Sequence, residues 1–219
     1  MFTKHNGSDL VVVLVYVDDL LITCNNIMLL NQTKTDLQKN FKMKDLGELK
    51  FFLGIEVARS KEGIVISQRK YALELISESG LGVAKPAGTP LKVNQKLKSQ
   101  EYDKAITGIG SSEESDVALK DPGSYQRLVE RLLYLTMTRP DIAFVVQVLS
   151  QYMHNPKVSH MEAALRVVRY IKGAPGLGLF MPAQNANELS AYCDSDWGSC
   201  LQTRRSVTGY IVKFGDALI

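Results

Sequence analysis

The sequence predicts an α+β fold, in which strands and helices occupy separate stretches of the chain. Segments near both ends are rich in β-branched residues or have the short period of strands. Between them, three successive segments carry apolar residues at helical spacing. The chain has 219 residues, of which 45% are hydrophobic and 22% charged. This length and composition predict an ordinary globular protein with one or two domains and a sizeable core.

The N-terminal half is organised around Leu10–Thr23, which reads LVVVLVYVDDLLIT. Such a continuous apolar run predicts a strand that is buried on both faces. Asp18 and Asp19 interrupt the run, and burying two adjacent carboxylates would be very costly. We therefore place them at the bend of a hairpin whose arms are Leu10–Val17 and Leu20–Cys24. Two interpretations stay open here: a site for divalent metal ions, or a plain turn, in which Asp is common.

Changes in periodicity define the elements that surround this hairpin. The preceding stretch Met1–Asp9 is short and polar, and a buried strand needs neighbours, so the abrupt start indicates a fragment. After the hairpin, the pattern predicts a helix over Met28–Phe41, a strand over Lys50–Val57 with a bend at Gly54, a paired strand over Gly63–Ser67 and a helix over Tyr71–Glu78.

Charge is spread unevenly along the chain. The formal net charge of +3 is too small to predict a polyanionic partner. Between Lys34 and Lys70, however, nine Lys or Arg residues face five acids. A solvated surface and a contact with a phosphate backbone both explain this local excess.

The stretch Ala84–Asp121 shows little periodicity and predicts a linker or a long surface crossing, mobile around Gly108–Asp116. It is the best candidate for a domain boundary. Three helices are predicted after it. Ser124 is a candidate cap of the first, which stops before Pro140, and the second ends near Asn155-Pro156.

The third helix is expected to open with a capping box of Ser159 and Glu162 and to end at Gly173. Arg166, Arg169 and Lys172 lie off its apolar stripe. We expect these three side chains to be solvated, with phosphate contact as the alternative.

Strand periodicity returns near the C-terminus, over Leu177–Met181, Leu189–Cys193 and Val207–Phe214. Asp194 and Asp196 follow the middle strand, where a metal site and an acidic turn are both plausible. The odd number of cysteines, three, has no metal-finger spacing and favours a reducing intracellular compartment. No apolar run approaches the ~18 residues of a membrane helix, so no membrane association is expected.

Seven blocks of this sequence, in order, resemble the reverse transcriptase of Ty1/copia-type retrotransposons running into its ribonuclease H domain. The blocks begin at Tyr16 (YVDDLLIT), Phe41 (FKMKDLGELKFFLGIEV), Ile66 (ISQRKYALELI), Lys85 (KPAGTPL), Leu132 (LLYLTMTRPDIAFVVQVLSQY), His160 (HMEAALRVVRYIKG) and Cys193 (CDSDWGSCLQTRRSVTGY).

The resemblance implies a palm remnant with a catalytic β-hairpin, a helical thumb or connection, and the first strands of a ribonuclease H-like sheet. The implied boundaries are 1–83 for the palm part with primer-grip-like strands, 84–121 for the linker, 122–176 for the helical part and 177–219 for the ribonuclease H-like start.

The same resemblance implies roles for individual residues in a two-metal nucleotidyl transfer. Asp18 and Asp19 would bind Mg²⁺ or Mn²⁺, and Tyr16 and Val17 would line the floor near the primer end. Asp194 would be the first metal-binding acid of the ribonuclease H site, with Asp196 beside it. The implied primer contacts are Phe52, Leu53 and Gly54, and the segment with Lys44 and Lys50 would border the incoming triphosphate.

The implied partners are an RNA template, a DNA primer, deoxynucleoside triphosphates and the rest of a Pol polyprotein. The implied location is intracellular, in cytoplasmic virus-like particles and in the nucleus. The family's other palm carboxylate would precede Met1, and its remaining ribonuclease H acids would follow Ile219. We therefore expect the chain alone neither to polymerise nor to cut RNA.

Two rival functions share features with this sequence. A signalling receiver domain also places paired acids after an apolar strand, but it needs a third Asp at the end of a later buried strand, and neither Phe51–Val57 nor Gly63–Ser67 carries one. The serious alternative is a degenerate element fragment without catalysis that retains at most weak, salt-sensitive binding of nucleic acid.

Overall fold

A computed structural model describes residues 1–93, 95–107, 116–183, 187–198 and 200–219. In this part of the chain the fold is mixed α and β, with three small antiparallel sheets and six α-helices. The alternation of strand-rich and helix-rich stretches that the sequence predicts is confirmed. The chain divides into two compact units, Met1–Val57 and Ala58–Ile219.

The first unit begins with a three-stranded antiparallel sheet of β1 (Phe2–Asn6), β2 (Asp9–Tyr16) and β3 (Asp19–Cys24), with β2 in the centre. The prediction of a polar lead-in without a strand is wrong, because β1 pairs along β2 from Phe2 opposite Val13 to Asn6 opposite Asp9. The signal was present in the sequence: Asn6-Gly7 is a strong hairpin dipeptide. Gly7 has a φ of +60°, which L side chains rarely adopt.

The prediction that the apolar run is buried on both faces is also wrong. Val11 is the only buried residue of β2, and Val15 and Tyr16 are 42% and 56% exposed. Antiparallel strands need only one covered face, so a run of Val and Leu does not by itself establish burial on two. The predicted arms of the hairpin are nevertheless confirmed to within a residue.

The rest of the first unit is a helix and a short hairpin. Helix α1 (Ile27–Asn40) is capped by Asn26, whose side chain accepts hydrogen bonds from the backbone N–H groups of Met28 and Leu29. The predicted single strand over Lys50–Val57 is two strands, β4 (Phe51–Phe52) and β5 (Ile55–Arg59). The bend predicted at Gly54 is the turn between them.

The second unit starts within β5 and holds the remaining elements. They are β6 (Gly63–Ser67), α2 (Arg69–Glu78), α3 (Gln100–Thr107), α4 (Pro122–Leu135), a 3₁₀ helix (Pro140–Ile142), α5 (Ala143–Ser150), α6 (Val158–Gly173), β7 (Leu179–Pro182), β8 (Leu189–Ser195), β9 (Thr208–Phe214) and β10 (Ala217–Leu218). Helices α2, α4, α5 and α6 pack around one hydrophobic core. Its fully buried members include Tyr125, Leu132, Val146, Val167 and Ile171.

The C-terminal strands enter two different sheets. Strand β7 pairs antiparallel with β6, from Gly63 opposite Pro182 to Ile66 opposite Leu179. Strands β8, β9 and β10 form a separate sheet with β9 in the centre. In the first unit, β4 and β5 pair antiparallel, with Phe51 opposite Glu56 and Phe52 opposite Ile55. None of the described helices is both long and apolar enough to cross a membrane.

The stretch 84–121, which was predicted to be a linker without regular structure, contains one helix. Helix α3 lies inside it, where the sequence showed no helical period that we recognised. Residues 108–115, where we predicted mobility, lie outside the described residues. The division into segments 1–83, 84–121, 122–176 and 177–219 stays a prediction.

Two helix starts differ from the predicted caps. Asp121, not Ser124, caps α4 by accepting a hydrogen bond from the N–H of Gly123, and Pro122 occupies the first turn. The capping box of Ser159 and Glu162 is wrong as well. At the start of α6, the Nδ1 atom of His160 accepts the N–H of Lys157, and Ser159 instead contacts Asp116.

Candidate functional site

The bend between β2 and β3 is a tight turn of two residues. Tyr16 and Asp19 are the last paired residues of the two strands, and Val17 and Asp18 form the turn. Val17 has a φ of +48°, an unusual conformation for a β-branched residue. Since Val17 has no glycine-like freedom, the flanking strands must hold this backbone in place. The turn thus presents two neighbouring carboxylates on a defined frame.

Both carboxylates are available for a ligand. Asp18 and Asp19 are exposed, and among the described residues neither side chain has a hydrogen bond or ion pair. Tyr16 is opposite Asp19 on the partner strand, so the two side chains project from the same face of the hairpin. The structure therefore brings Tyr16, Val17, Asp18 and Asp19 together at one exposed tip.

The carboxylate oxygens at this tip are of the type that Mg²⁺ binds, but only two carboxylates supply them. Carboxylate oxygens are ligands that Mg²⁺ prefers, and Mg²⁺ commonly takes one or two of them together with water and substrate phosphates. Within the described part of the chain, no group of three or more His, Cys, Asp or Glu side chains could hold a metal ion. Asp18 and Asp19 could therefore supply part of a metal site, which other ligands would have to complete.

The second predicted contact region is a turn of the same unit. Phe52 pairs with Ile55, and the two residues between them, Leu53 and Gly54, have φ values of +49° and +73°. Positive φ at both central positions is characteristic of a type I′ hairpin turn. Phe51, which precedes the turn, is 57% exposed. The structure thus forms a second tight hairpin tip from the residues that the resemblance associates with the primer.

The acids near the C-terminus lie in the second unit and are partly used by the fold. Asp194 is on β8 opposite Gly209, and its side chain accepts the N–H of Ser195 at 2.9 Å. The Asp196 carboxylate accepts the N–H of Val207 at 2.6 Å. Asp196 therefore extends the pairing of β8 and β9, which favours the turn interpretation for this residue.

The expectation that Arg166, Arg169 and Lys172 are solvated is wrong. All three are half-buried, and each donates hydrogen bonds to the stretch of chain after α2. The sequence placed these residues off the apolar stripe of α6 and did not indicate that they share a covered face. A chain segment with little periodicity of its own gave no indication that it would cover that face.

Sequence reasoning also missed three buried residues with ionisable polar side chains in the second unit: Arg139, Lys157 and His160. Burial lowers the pKa of His160 to about 4, an effect to which the nearby charge of Lys157 adds. The pKa of Lys157 is itself raised, because its contacts with Asp103 and Asp116 outweigh the effect of burial. No pattern in the sequence distinguishes these side chains from solvated ones.

Comparison with known proteins identifies the family. The profile of the reverse transcriptase (RNA-dependent DNA polymerase) family matches residues 1–93. An uncharacterized mitochondrial protein of Arabidopsis thaliana is 36% identical over 94% of this chain and 80% of its own length. The Retrovirus-related Pol polyprotein from transposon RE1 of the same plant is 40% identical over 98% of this chain. The chain belongs to the reverse transcriptase family of copia-type Pol polyproteins.

This family membership confirms the resemblance drawn from the seven sequence blocks. The putative transposon Ty5-1 protein of Saccharomyces cerevisiae is 32% identical over 99% of this chain and 67% of its own length. The chain spans only 14% of the length of the RE1 polyprotein. No solved structure matched the chain.

Proposed function

We propose that this chain is part of an RNA-directed DNA polymerase of a copia-type Pol polyprotein, and that Asp18 and Asp19 hold the divalent ions, Mg²⁺ or Mn²⁺, for nucleotidyl transfer. The observation that carries the proposal is the exposed hairpin tip with two adjacent carboxylates, neither of which has a partner in the described residues. Family membership supports it, because a reverse transcriptase needs such acids beside the growing end of the primer.

The proposed roles follow the positions of the side chains on the two hairpins. Asp18 and Asp19 bind metal through their carboxylate oxygens. Tyr16 and Val17 form the floor beneath the primer end, and the Phe52-Leu53-Gly54 turn contacts the primer strand. Divalent ions bound at the acids would stabilise the attacking 3′-oxygen and the leaving pyrophosphate. The substrates are then an RNA template, a DNA primer and deoxynucleoside triphosphates.

The remaining parts of the proposal depend on the longer relatives. Segment 122–176 would act as the thumb or connection, and Asp194 would be the first acid of a ribonuclease H site. The remaining metal ligands would come from elsewhere in a Pol polyprotein. The expected location is intracellular, in cytoplasmic virus-like particles and in the nucleus.

Mn²⁺ binding tests the metal site directly. Electron paramagnetic resonance of the full chain titrated with Mn²⁺ should show binding that becomes tighter when a deoxynucleoside triphosphate is added, because phosphate oxygens complete the coordination shell. The Asp18→Asn/Asp19→Asn variant should lose this binding. The matched control Asp36→Asn/Glu48→Gln removes two exposed acids from the same unit and should retain it. Equal binding by both double variants would overturn the assignment.

The alternative is a fragment without catalysis that retains only binding of nucleic acid. It is favoured by one observation: no third acid lies near the pair within the described residues. A primer-extension assay with Mg²⁺ or Mn²⁺ tests whether the chain alone polymerises. We expect no extension by the chain alone, and robust incorporation would show that the two acids suffice.

A further inference from the structure

The dipeptide Asn-Gly occurs once in this chain, at Asn6-Gly7. It lies where β1 ends and the chain turns into β2, and Asn6 is the last paired residue of β1, opposite Asp9. Every other asparagine is followed by a residue with a side chain, and Asn155 is followed by a proline, which has no N–H. Asn6 is therefore the one asparagine whose following backbone nitrogen has no side chain beside it.

Neither the side-chain amide of Asn6 nor the N–H of Gly7 is held by the fold. Asn6 is exposed, and its amide forms no hydrogen bond with a residue that the structure describes. The N–H of Gly7 likewise donates to no described residue. A Cβ placed on Gly7 would have no atom within 4 Å, so the space around this part of the turn is open.

The two asparagines that adjoin the same turn are held firmly. Asn25 accepts the N–H of Leu10 at 2.9 Å and donates to the carbonyl of Ser8 at 3.1 Å. Asn26 caps α1 and donates to the carboxylate of Asp9 at 2.8 Å. These hydrogen bonds fix the start of β2 and the turn residue before it, and they leave the end of β1 free.

We propose that Asn6 is a site of spontaneous deamidation, in which water replaces the side-chain NH₂ group. The backbone nitrogen of Gly7 loses its proton to a solvent base and attacks the side-chain carbonyl carbon of Asn6. The new C–N bond closes a succinimide ring, and the C–NH₂ bond breaks to release ammonia, which takes its third proton from water. A water molecule then opens the ring at either carbonyl and leaves aspartate or isoaspartate at position 6.

The backbone around Gly7 permits this attack. Glycine has no Cβ to crowd its nitrogen, and its backbone rotates more freely than that of any other residue. Strand β1 is at the edge of its sheet, and all five of its residues are exposed. Its end can therefore open at little cost in buried surface, so the attacking geometry is reached without unfolding the whole unit.

The product changes the hairpin. A carboxylate at position 6 would lie opposite Asp9, whose own carboxylate is held in place by Asn26. Like charges directly opposite each other destabilise an antiparallel pair. Isoaspartate also adds a methylene to the backbone, which disturbs the spacing of the pairing groups. Deamidation should therefore loosen β1 from β2, and this inference involves neither metal nor nucleic acid and is independent of the proposed function.

Ageing of the purified full chain at mildly alkaline pH tests the proposal. Peptide mass spectrometry should show a gain of one dalton at Asn6, as a mixture of aspartate and isoaspartate, while Asn25 and Asn26 stay unchanged. The same chain in urea gives the rate without the fold. We expect the native rate to be within about tenfold of it, because opening of an exposed strand end costs little free energy. The proposal is overturned if native Asn6 stays unmodified while the unfolded chain reacts.

The variant Asn6→Asp tests the effect of the product on the hairpin. Hydrogen exchange of the β1 amides should become about two- to fivefold faster, as expected for a like-charged pair across two strands. The matched control Asn31→Asp adds the same charge at an exposed position of α1 and should leave this exchange unchanged. Equal exchange of β1 in the two variants would rule out the predicted loosening.

Discussion

His160 is the side chain of the second unit whose protonation the fold opposes most clearly. It is fully buried, it stacks on Tyr152 with ring centroids 4.1 Å apart, and its Nδ1 accepts the N–H of Lys157. The charged groups around it are Lys157, Asp103 and Asp116. An imidazolium at this position would lose the Nδ1 acceptor and lie beside a buried ammonium.

We expect stability to fall as the pH is lowered from about 6.5 towards 4. The pKa of His160 is lowered to about 4 in the folded chain, from a reference of 6.5. Between these values the unfolded chain binds a proton that the folded chain does not, so the free energy of unfolding rises with pH. The difference is on the order of 3 kcal/mol across the window. Urea denaturation of wild type and of His160→Gln at a series of pH values measures it.

This prediction is tested by how the free energy of unfolding changes with pH, and not by its value at a single pH. His160→Gln should be less stable at neutral pH but should lose the slope between pH 4.5 and 6.5. His154→Gln, at an exposed position, should keep it. Asp116 and Asp141 have lowered pKa values as well, because hydrogen bonds and neighbouring cations outweigh the effect of burial. The stability that these two carboxylates contribute is lost only below about pH 4. A slope that persists in His160→Gln would contradict the prediction.

Individual polar residues were the least predictable feature of the sequence. Asp18 and Asp19 could be placed at a bend because burial of adjacent carboxylates is so costly that few positions remain. No such argument locates Lys157, since a lysine side chain is expected to be solvated unless it has a charged partner. Its burial depends on Asp103 and Asp116, which are 54 and 41 residues earlier in the chain. Sequence reasoning therefore located the candidate acids and missed the buried ion pairs.

Turns and strands were predictable where a local rule applied. The hairpin at Gly54 follows from glycine's tolerance of positive φ, whereas Val17 adopts a φ of +48° against its own preference. The strand β6 was predicted with its correct bounds, but its partner β7 is more than a hundred residues away. Periodicity identifies an element and not its distant neighbour, which is why the sheet that contains β7 was not foreseen.

The junction between α4 and the C-terminal end of α6 depends on Arg139. Its guanidinium binds both carboxylate oxygens of Asp141, at 2.9 and 2.7 Å, and donates to the carbonyl of Ala174 at 3.0 Å. Arg139→Met should destabilise the chain by about 2–3 kcal/mol, because Asp141 and the carbonyl of Ala174 lose a buried charged donor. Equilibrium denaturation by urea measures the loss.

Arg127 provides a matched control for this junction. It also faces an aspartate, Asp121, but at 3.8 Å and with side chains that are 71% and 69% exposed. Arg127→Met should therefore cost less than about 0.5 kcal/mol. If the two substitutions had equal effects, the buried contacts of Arg139 would not be what holds the junction.

The two compact units differ in how much apolar surface they bury. The hydrophobic core of α2, α4, α5 and α6 lies entirely in Ala58–Ile219. In Met1–Val57, all of which is described, Val11 is the only buried hydrophobic residue. The α+β class could be predicted because it follows from periodicity alone. The unequal burial could not, since strands and helices of similar apolar content appear in both units.

Hydrogen exchange of the full chain should reveal this inequality. Opening a region costs free energy in proportion to the packed apolar contacts it loses, so the amides of α4 and α6 should exchange only through global unfolding. The amides of β2 and β3 should exchange at least about 100-fold faster, a difference of about 2.8 kcal/mol. Mass spectrometry of peptides from the two units measures both exchange rates. The variant Val146→Ala should lower the protection of the helices. Protection of β2 and β3 equal to that of α6 in the wild type would show that the first unit has a stability that its own buried residues do not explain.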